Sequence, residues 1–278
     1  MTTRAHRAWR HPSFVVGGAL TLLLCAAAGL SLWWQPYPPA EIDIPNKLQG
    51  PSAAHWLGTD SLGRDIASQL LVGAQSSILV GVVAVGIGLT VGVALGALAA
   101  ARRGWVEELV MRASDFSFAF PALLTAIMLT AIYGPSLFLS IVAIGIFNIP
   151  VFARITRAAA NAVWARDYVT AARAAGKGPL AITWDHILPN IANLLIVQAT
   201  VSFATAILAE AALSYLGLGA QPPQPSWGRM LNDAQALMFQ APLLAVWPGA
   251  AIMLSVLGLN LMGDGLSDLL DPRLTRGR

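Results

Sequence analysis

The chain has 278 residues, 56% of them hydrophobic and only 11% charged, with a mean hydropathy of +0.64. Soluble domains carry about 25% charged residues, so a soluble fold is excluded and the length is better spent on membrane spans of about 20 residues each. The net charge of +3 comes from basic residues scattered between apolar runs, which argues against a nucleic-acid surface, and the single cysteine, Cys25, excludes an intramolecular disulfide or a Cys-based zinc site.

Arg4, Arg7 and Arg10 precede an apolar run over residues 14–34. A basic start and the small residues 26–28 fit a secretory leader, but the run is longer than the usual apolar region of about 7–15 residues. Leu24 is also a poor residue ahead of a lipoprotein cysteine. The reading is a cytosolic stretch over 1–13 and a retained first span over 14–34, closed by the interfacial pair Trp33 and Trp34. Residues 35–77 read as an extracytoplasmic loop rich in proline, with the string HWLGTDSLGRD at 55–65. Its His and Asp residues lack a convincing ligand spacing, so a turn-rich loop is the simpler reading than a metal site.

Residues 66–101 carry no charge. Small residues recur there at every fourth position, Ala84, Gly88, Gly92, Gly96 and Ala100, which puts them on one helix face and lets a neighbouring backbone approach closely. Gly88, Gly92 and Gly96 are therefore expected to pack a gate helix tightly against a neighbour. Arg102, Arg103, Glu107, Glu108 and Arg112 mark a cytosolic turn. Residues 116–153 are long enough for two spans, divided at Tyr133-Gly134-Pro135-Ser136, with Pro121 and Pro150 near span edges.

Next comes a polar island, DYVTAARAAGKGPLAITWDHILPN, over residues 167–190. A short helix is expected over about 167–180, ended by Gly176 at positive φ and by Gly178-Pro179. Its alanines, Ala171 and Ala172 among them, are too small to anchor a core but permit close approach of another surface, while Arg173 and Lys177 stay hydrated. The alternative is a connector that only joins two spans. A fifth span follows over about 191–213 and contains Glu210, the acidic residue set well inside an apolar segment. Charge at the bilayer centre costs about 2.5–3.5 kcal/mol on insertion scales. Its place toward the outer end therefore points to an interfacial, pore or outer-vestibule position rather than a proton relay. Residues 213–234 are dense in Gly and Pro and read as a structured outer loop, before a sixth span over about 243–262 and a cytosolic tail over 266–278.

Four strings in this order resemble one family. The pattern A-A-x-x-x-G, nine residues, then x-x-L-P, carried by Ala171, Ala172, Gly176, Leu188 and Pro189, is similar to the coupling-loop (EAA) signature of ABC importer permeases. Thr170 stands where that signature usually has Glu, with Asp167 one turn earlier, and His186 stands where Ile is common. The HWLGTDSLGRD string, LGLG-x-QPP-x-PSWG-x-ML at 216–231 and GDGLSDLLDPR at 263–273 resemble the dipeptide, oligopeptide and nickel branch. The resemblance covers roughly 55–272. It implies an all-α integral membrane fold of six transmembrane helices, a permease core over 78–265, and a cytosolic coupling helix between helices 4 and 5. Asp167, Tyr168, Thr170, Ala171, Ala172, Arg173, Gly176, Leu188 and Pro189 would form the contact with an ATPase.

The same resemblance implies partners: a second homologous permease in a heterodimer, two ABC ATPase subunits, an extracytoplasmic solute-binding protein and membrane lipid. No cofactor is expected on this chain. It lacks the phosphate-binding G-x-x-x-x-G-K-[ST] sequence, so ATP and Mg belong to the partner subunits. The chain would thus be no enzyme but the translocation subunit of an ATP-driven importer of di- or oligopeptides, or of chelated nickel, in the bacterial cytoplasmic membrane.

Orientation follows from charge. With both termini cytosolic, 14 of the 17 basic residues lie inside, and only Lys47, Arg64 and Arg229 lie outside. Residues 41–65 and 220–235 are then extracytoplasmic and 102–112 and 166–186 cytosolic. An ion-coupled secondary transporter is the alternative class; it favours several intramembrane ionisable residues and inverted repeats, whereas Glu210 stands alone here and no repeat is evident. An intramembrane hydrolase is another. All four histidines, His6, His11, His55 and His186, fall outside the expected spans.

Overall fold

The computed structural model describes residues 11–270. The expectations for the basic N-terminal residues Arg4, Arg7 and Arg10, and for Arg273, Arg276 and Arg278 of the tail, lie outside them. Among the described residues the chain is helical, with five helices long and apolar enough to cross a membrane and a bent pair that makes a sixth crossing.

Helix α1 spans Pro12–Ser31, starting two residues earlier than expected because Pro12 fits the first helical turn, where its missing N–H costs nothing. It leaves Trp33 and Trp34 beyond its end, both exposed. Helix α2 spans Ile66–Arg102. The loop expected over 35–77 therefore ends twelve residues sooner. Asp65 ends it, accepting from the Ser68 N–H at 2.8 Å as an N-cap. A widened π turn, Gly88–Gly92, interrupts α2 without breaking it.

Helices α3 (Trp105–Ala119) and α4 (Ala122–Tyr133) meet at 79° and, taken as one broken span, stand in the third crossing's place. The expected third span lay wholly in the uncharged run after 116; the bent pair that stands in its place instead begins in the charged segment before it. The break has a local cause. Phe120 precedes Pro121, whose ring disfavours helical geometry in the residue before it, and Phe120 is extended (φ −100°, ψ 123°). The turn expected at 133–136 is present, and Ser136 caps α5 (Leu137–Trp164) by accepting from the Leu139 N–H.

After α5 come the short α6 (Asp167–Ala174), then α7 (Pro179–Tyr215), which contains a second π turn at Thr183–Ile187. The fifth span thus starts a dozen residues earlier than expected and includes the whole end of the polar island. Helix α8 (Trp227–Gln235) lies within the expected outer loop, and α9 (Leu243–Leu270) runs past residue 265, where the core was expected to end.

Two apolar clusters hold these helices. One joins α2, α5, α6 and α7 through Ala84, Phe152, Ala160, Val169, Ile182 and Ile187, all nearly or wholly inaccessible. The other joins α1, the start of α2, α7, α8 and α9 around Leu24, Ala74, Ile207, Trp227 and Leu259. First and last helices touch backbone to backbone. A Cβ at Gly17 would lie 2.7 Å from the Leu261 carbonyl carbon, and one at Gly265 2.7 Å from the Phe14 Cα. The two ends of the chain thus close one bundle.

Candidate functional site: a short helix between two spans

The site is built at the end of α5. Two residues, Ala165 and Arg166, separate Trp164 from α6, which therefore follows directly on α5. Asp167 opens α6 and Arg173 sits in its last turn, each at the end of the helix dipole that suits its charge. The Arg173 guanidinium also lies 5.6 Å from the Trp164 ring centroid.

Gly176 ends α6 as expected, at φ +84°. Its N–H donates to the Arg173 carbonyl at 3.0 Å, and the Lys177 N–H donates to the Ala172 carbonyl at 3.1 Å. That pair of bonds is the Schellman arrangement, which satisfies the last carbonyls and needs a left-handed residue in the glycine's place. The expected helix over about 167–180 is thus eight residues long, and the chain reverses at Gly176 and enters α7 at Pro179. Lys177 Nζ bonds the Asp185 carboxylate at 3.0 Å, and the Tyr168 ring stands edge-on to His186, with centroids 6.1 Å apart. These contacts fix α6 against the first turns of α7.

The two faces of α6 differ. Val169 is fully buried and Ala172 packs on the inner cluster, whereas Asp167, Tyr168, Thr170, Ala171 and Arg173 are exposed. Of the two alanines expected at the contact, Ala172 is half-buried against the chain's own core and Ala171 is exposed. Leu188 likewise packs into the core, where α7 has already turned inward, while Pro189 is exposed. Two residues of the free face escaped the sequence reading: Leu180 is 83% exposed and Trp184 75%, one turn apart at the start of α7. Their signal was available. Both are large apolar residues four apart in the first turns after a helix-starting proline, and Ile182 and Ile187 of the same segment take the buried face.

The small-residue face of α2 meets α5. A Cβ at Gly92 would lie 2.5 Å from the Ile149 carbonyl oxygen and 2.7 Å from the Phe152 Cβ. Gly88 faces Asn148 and Phe152, and Gly96 faces Ala153 and Thr156. The neighbour that these glycines admit is thus the helix that carries α6.

Glu210 does not line a pore or an outer vestibule within this chain. It is fully inaccessible, with Oε1 accepting from the Ser214 hydroxyl at 2.6 Å, and Ser214 Oγ in turn accepting from the Ala220 N–H at 3.0 Å. Its tie is to the segment that leaves α7, which folds back over it. The other side of that outer region is equally closed. Asp60 accepts from Arg64 Nε at 2.6 Å, from Gln69 and from two backbone N–H groups, and Arg64 reaches Asp233 of α8 at 3.3 Å. The carboxylates of the HWLGTDSLGRD string therefore serve turns and an inter-segment ion pair.

Comparison with known proteins agrees with this architecture. Residues 92–276 match the family described as binding-protein-dependent transport system inner membrane component. The chain is 43% identical over 261 residues to the glutathione transport system permease protein GsiD of Pectobacterium atrosepticum, covering 94% of this chain and 87% of the relative. It is 45% identical to the di/tripeptide transport system permease protein DppC of Pseudomonas aeruginosa, covering 96% and 91%. It is 46% identical to the dipeptide transport system permease protein DppC of Alkalihalophilus pseudofirmus, covering 84% and 77%. A membrane-crossing helical bundle with a short exposed helix between its fourth and fifth crossings, matched across two thirds of its length by one family model, leaves a single assignment: the chain belongs to the binding-protein-dependent transport system inner membrane components, the permease subunits of ABC transporters.

Proposed function

We propose that this chain is one of two permease subunits of an ATP-driven importer that carries short peptides or peptide-like solutes, chelated nickel being the related option, inward across the bacterial cytoplasmic membrane by alternating access. The observation that carries the reading is α6, a capped short helix with an exposed face beside Leu180 and Trp184, held directly between two crossings. A protruding surface of that kind suits a groove on an ATPase subunit. The peptide class is supported by relatives whose names specify glutathione, dipeptide and di/tripeptide transport. The second permease would cover the open apolar groove lined by Phe116, Phe120, Met128, Ile132, Ile146 and Phe147.

In this reading ATP and Mg sit on the partner ATPases, whose closure moves α6. A solute-binding protein delivers the solute to the face built by residues 35–65 and 216–235. Nucleotide drives the cycle because it binds the two ATPase states with different affinity. In the same reading both chain termini are cytosolic, which the asymmetry of basic residues in the sequence supports.

The test uses the reconstituted complex with its ATPase, second permease and binding protein. Gly176→Val forces a β-branched residue to positive φ, at a cost of roughly 1–2 kcal/mol, and Ala171→Glu puts bulk and charge on the free face of α6. Both should reach the membrane and pair with the second permease, yet lose ATPase retention and solute uptake. Gly176→Asn, which tolerates the left-handed region, should keep both. Normal uptake by Gly176→Val and Ala171→Glu would leave α6 a mere connector.

A further inference from the structure

Helix α3 is joined to the inner half of α5 by two ion pairs that bridge distant parts of the chain. Glu107 accepts from Arg157 Nε at 2.6 Å, and Asp115 pairs with Arg154. The two pairs lie about two turns apart on α3 and about one turn apart on α5, so together they resist sliding and rotation of one helix on the other, which a single pair would not. Aromatic contacts extend the seam. The Arg154 guanidinium lies 4.6 Å from the Phe118 ring centroid, and Phe118 meets Phe147 edge-on with centroids 5.6 Å apart. The seam ends at Phe120–Pro121, where the chain turns by 79° into α4. At its other end α5 passes into α6 through two residues.

We propose that Glu107, Arg157, Asp115 and Arg154 are positioning residues for transport: they make α3 and the inner half of α5 one moving body, so that a displacement of α6 reaches the break at Phe120–Pro121 and swings α4. The proposal rests on the reading of α6 as the ATPase contact. Without the seam, α6 and α5 would move while α3 lagged, and the bend would receive no displacement. Glu108 and Arg112, an exposed pair within α3 itself, have no part in it. A bistable element joined to a site through rigid packed helices is the physical requirement for such coupling.

The experiment is charge exchange in the reconstituted complex, reading both ATP hydrolysis and solute taken up per ATP. Glu107→Arg and Arg157→Glu should each keep the ATPase on purification and keep hydrolysis, while uptake per ATP falls about tenfold, inside the roughly 5–150-fold span of coupling between sites. The double exchange should restore uptake, and Glu108→Lys should leave it unchanged. Uptake per ATP that is normal in both single variants, or unrescued by the double exchange, would overturn the proposal. Should the single variants fail to insert, Glu107→Cys with Arg157→Cys in a Cys25→Ser chain replaces them, joined by a short bismaleimide. A rigid body predicts that the unlinked protein shows low uptake per ATP and that the link restores it; full uptake without the link, or transport abolished by it, would overturn the proposal. Loss of the ATPase from the unaltered complex would instead count against the reading of α6.

Discussion

At the scale of single residues, burial decided what sequence position left open. Glu210 sits where a carboxylate is expensive, and the chain answers by enclosing it under its own outer segment and giving it Ser214 as a donor. The same serine oxygen accepts from Ala220, so Ser214 joins helix α7 to the chain that folds back across it. Removing it leaves buried groups without partners, at about 1–3 kcal/mol. Ser214→Ala and Glu210→Ala should therefore lower the unfolding temperature in detergent and open residues 217–225 to protease, while Glu210→Gln, which can still accept from Ser214, keeps uptake. Lost uptake in Glu210→Gln with an unmoved unfolding temperature would return the carboxylate to the translocation path. Gly176 was legible because a glycine after a run of helix formers and before Gly-Pro has few uses other than a left-handed cap. Ala171 and Ala172 were not distinguishable, since only the packing of Val169 fixes which side of α6 faces inward.

Among the elements, α2 and α5 show how a four-residue spacing is made to work. One helical turn takes 3.6 residues, so each four-residue step overshoots by about 40°, and from Ala84 to Ala100 a straight helix would rotate the stripe off its neighbour. The π turn at Gly88–Gly92 takes up more residues per turn and offsets that drift. Ala84, Gly88, Gly92, Gly96 and Ala100 are consequently all buried. Gly92→Leu would insert bulk against the Ile149 carbonyl and Phe152, where overpacking costs about 1–3 kcal/mol, while Val91 is 42% exposed and points away. Gly92→Leu should reduce folded yield and uptake, and Val91→Leu neither; equal behaviour of the two in fluorescence-detected chromatography and uptake would remove the packing argument. The stripe was readable because a repeated small residue is a positive mark in a membrane helix. The start of the bent pair was missed for the opposite reason: hydropathy marks apolar runs, whereas α3 is charged and finds its partners in Arg154 and Arg157, about forty to fifty residues away.

For the whole molecule, length and charge place the ends of the bundle. Helices α2 and α7 each have 37 residues and so run about 55 Å, well beyond the roughly 30 Å of hydrocarbon. Their surplus falls at different ends of the chain's charge pattern. Arg64 and Asp233 join the segments before α2 and after α7 on one side, while Glu107–Arg157 and the α6 island gather on the other. If the second side is cytosolic, as its excess of arginine requires, a thiol at residue 53 is reached from outside and one at residue 175 is not. Both positions are exposed alanines, and Ala53 is preferable to Ser52, whose hydroxyl accepts from the His55 N–H at 3.0 Å. In a Cys25→Ser background, Ala53→Cys should react with an impermeant maleimide on intact cells. Ala175→Cys should react only after the membrane is opened, and more completely when the ATPase is absent. The reverse pattern would invert the bundle and remove α6 from any cytosolic partner, whatever the geometry of its cap.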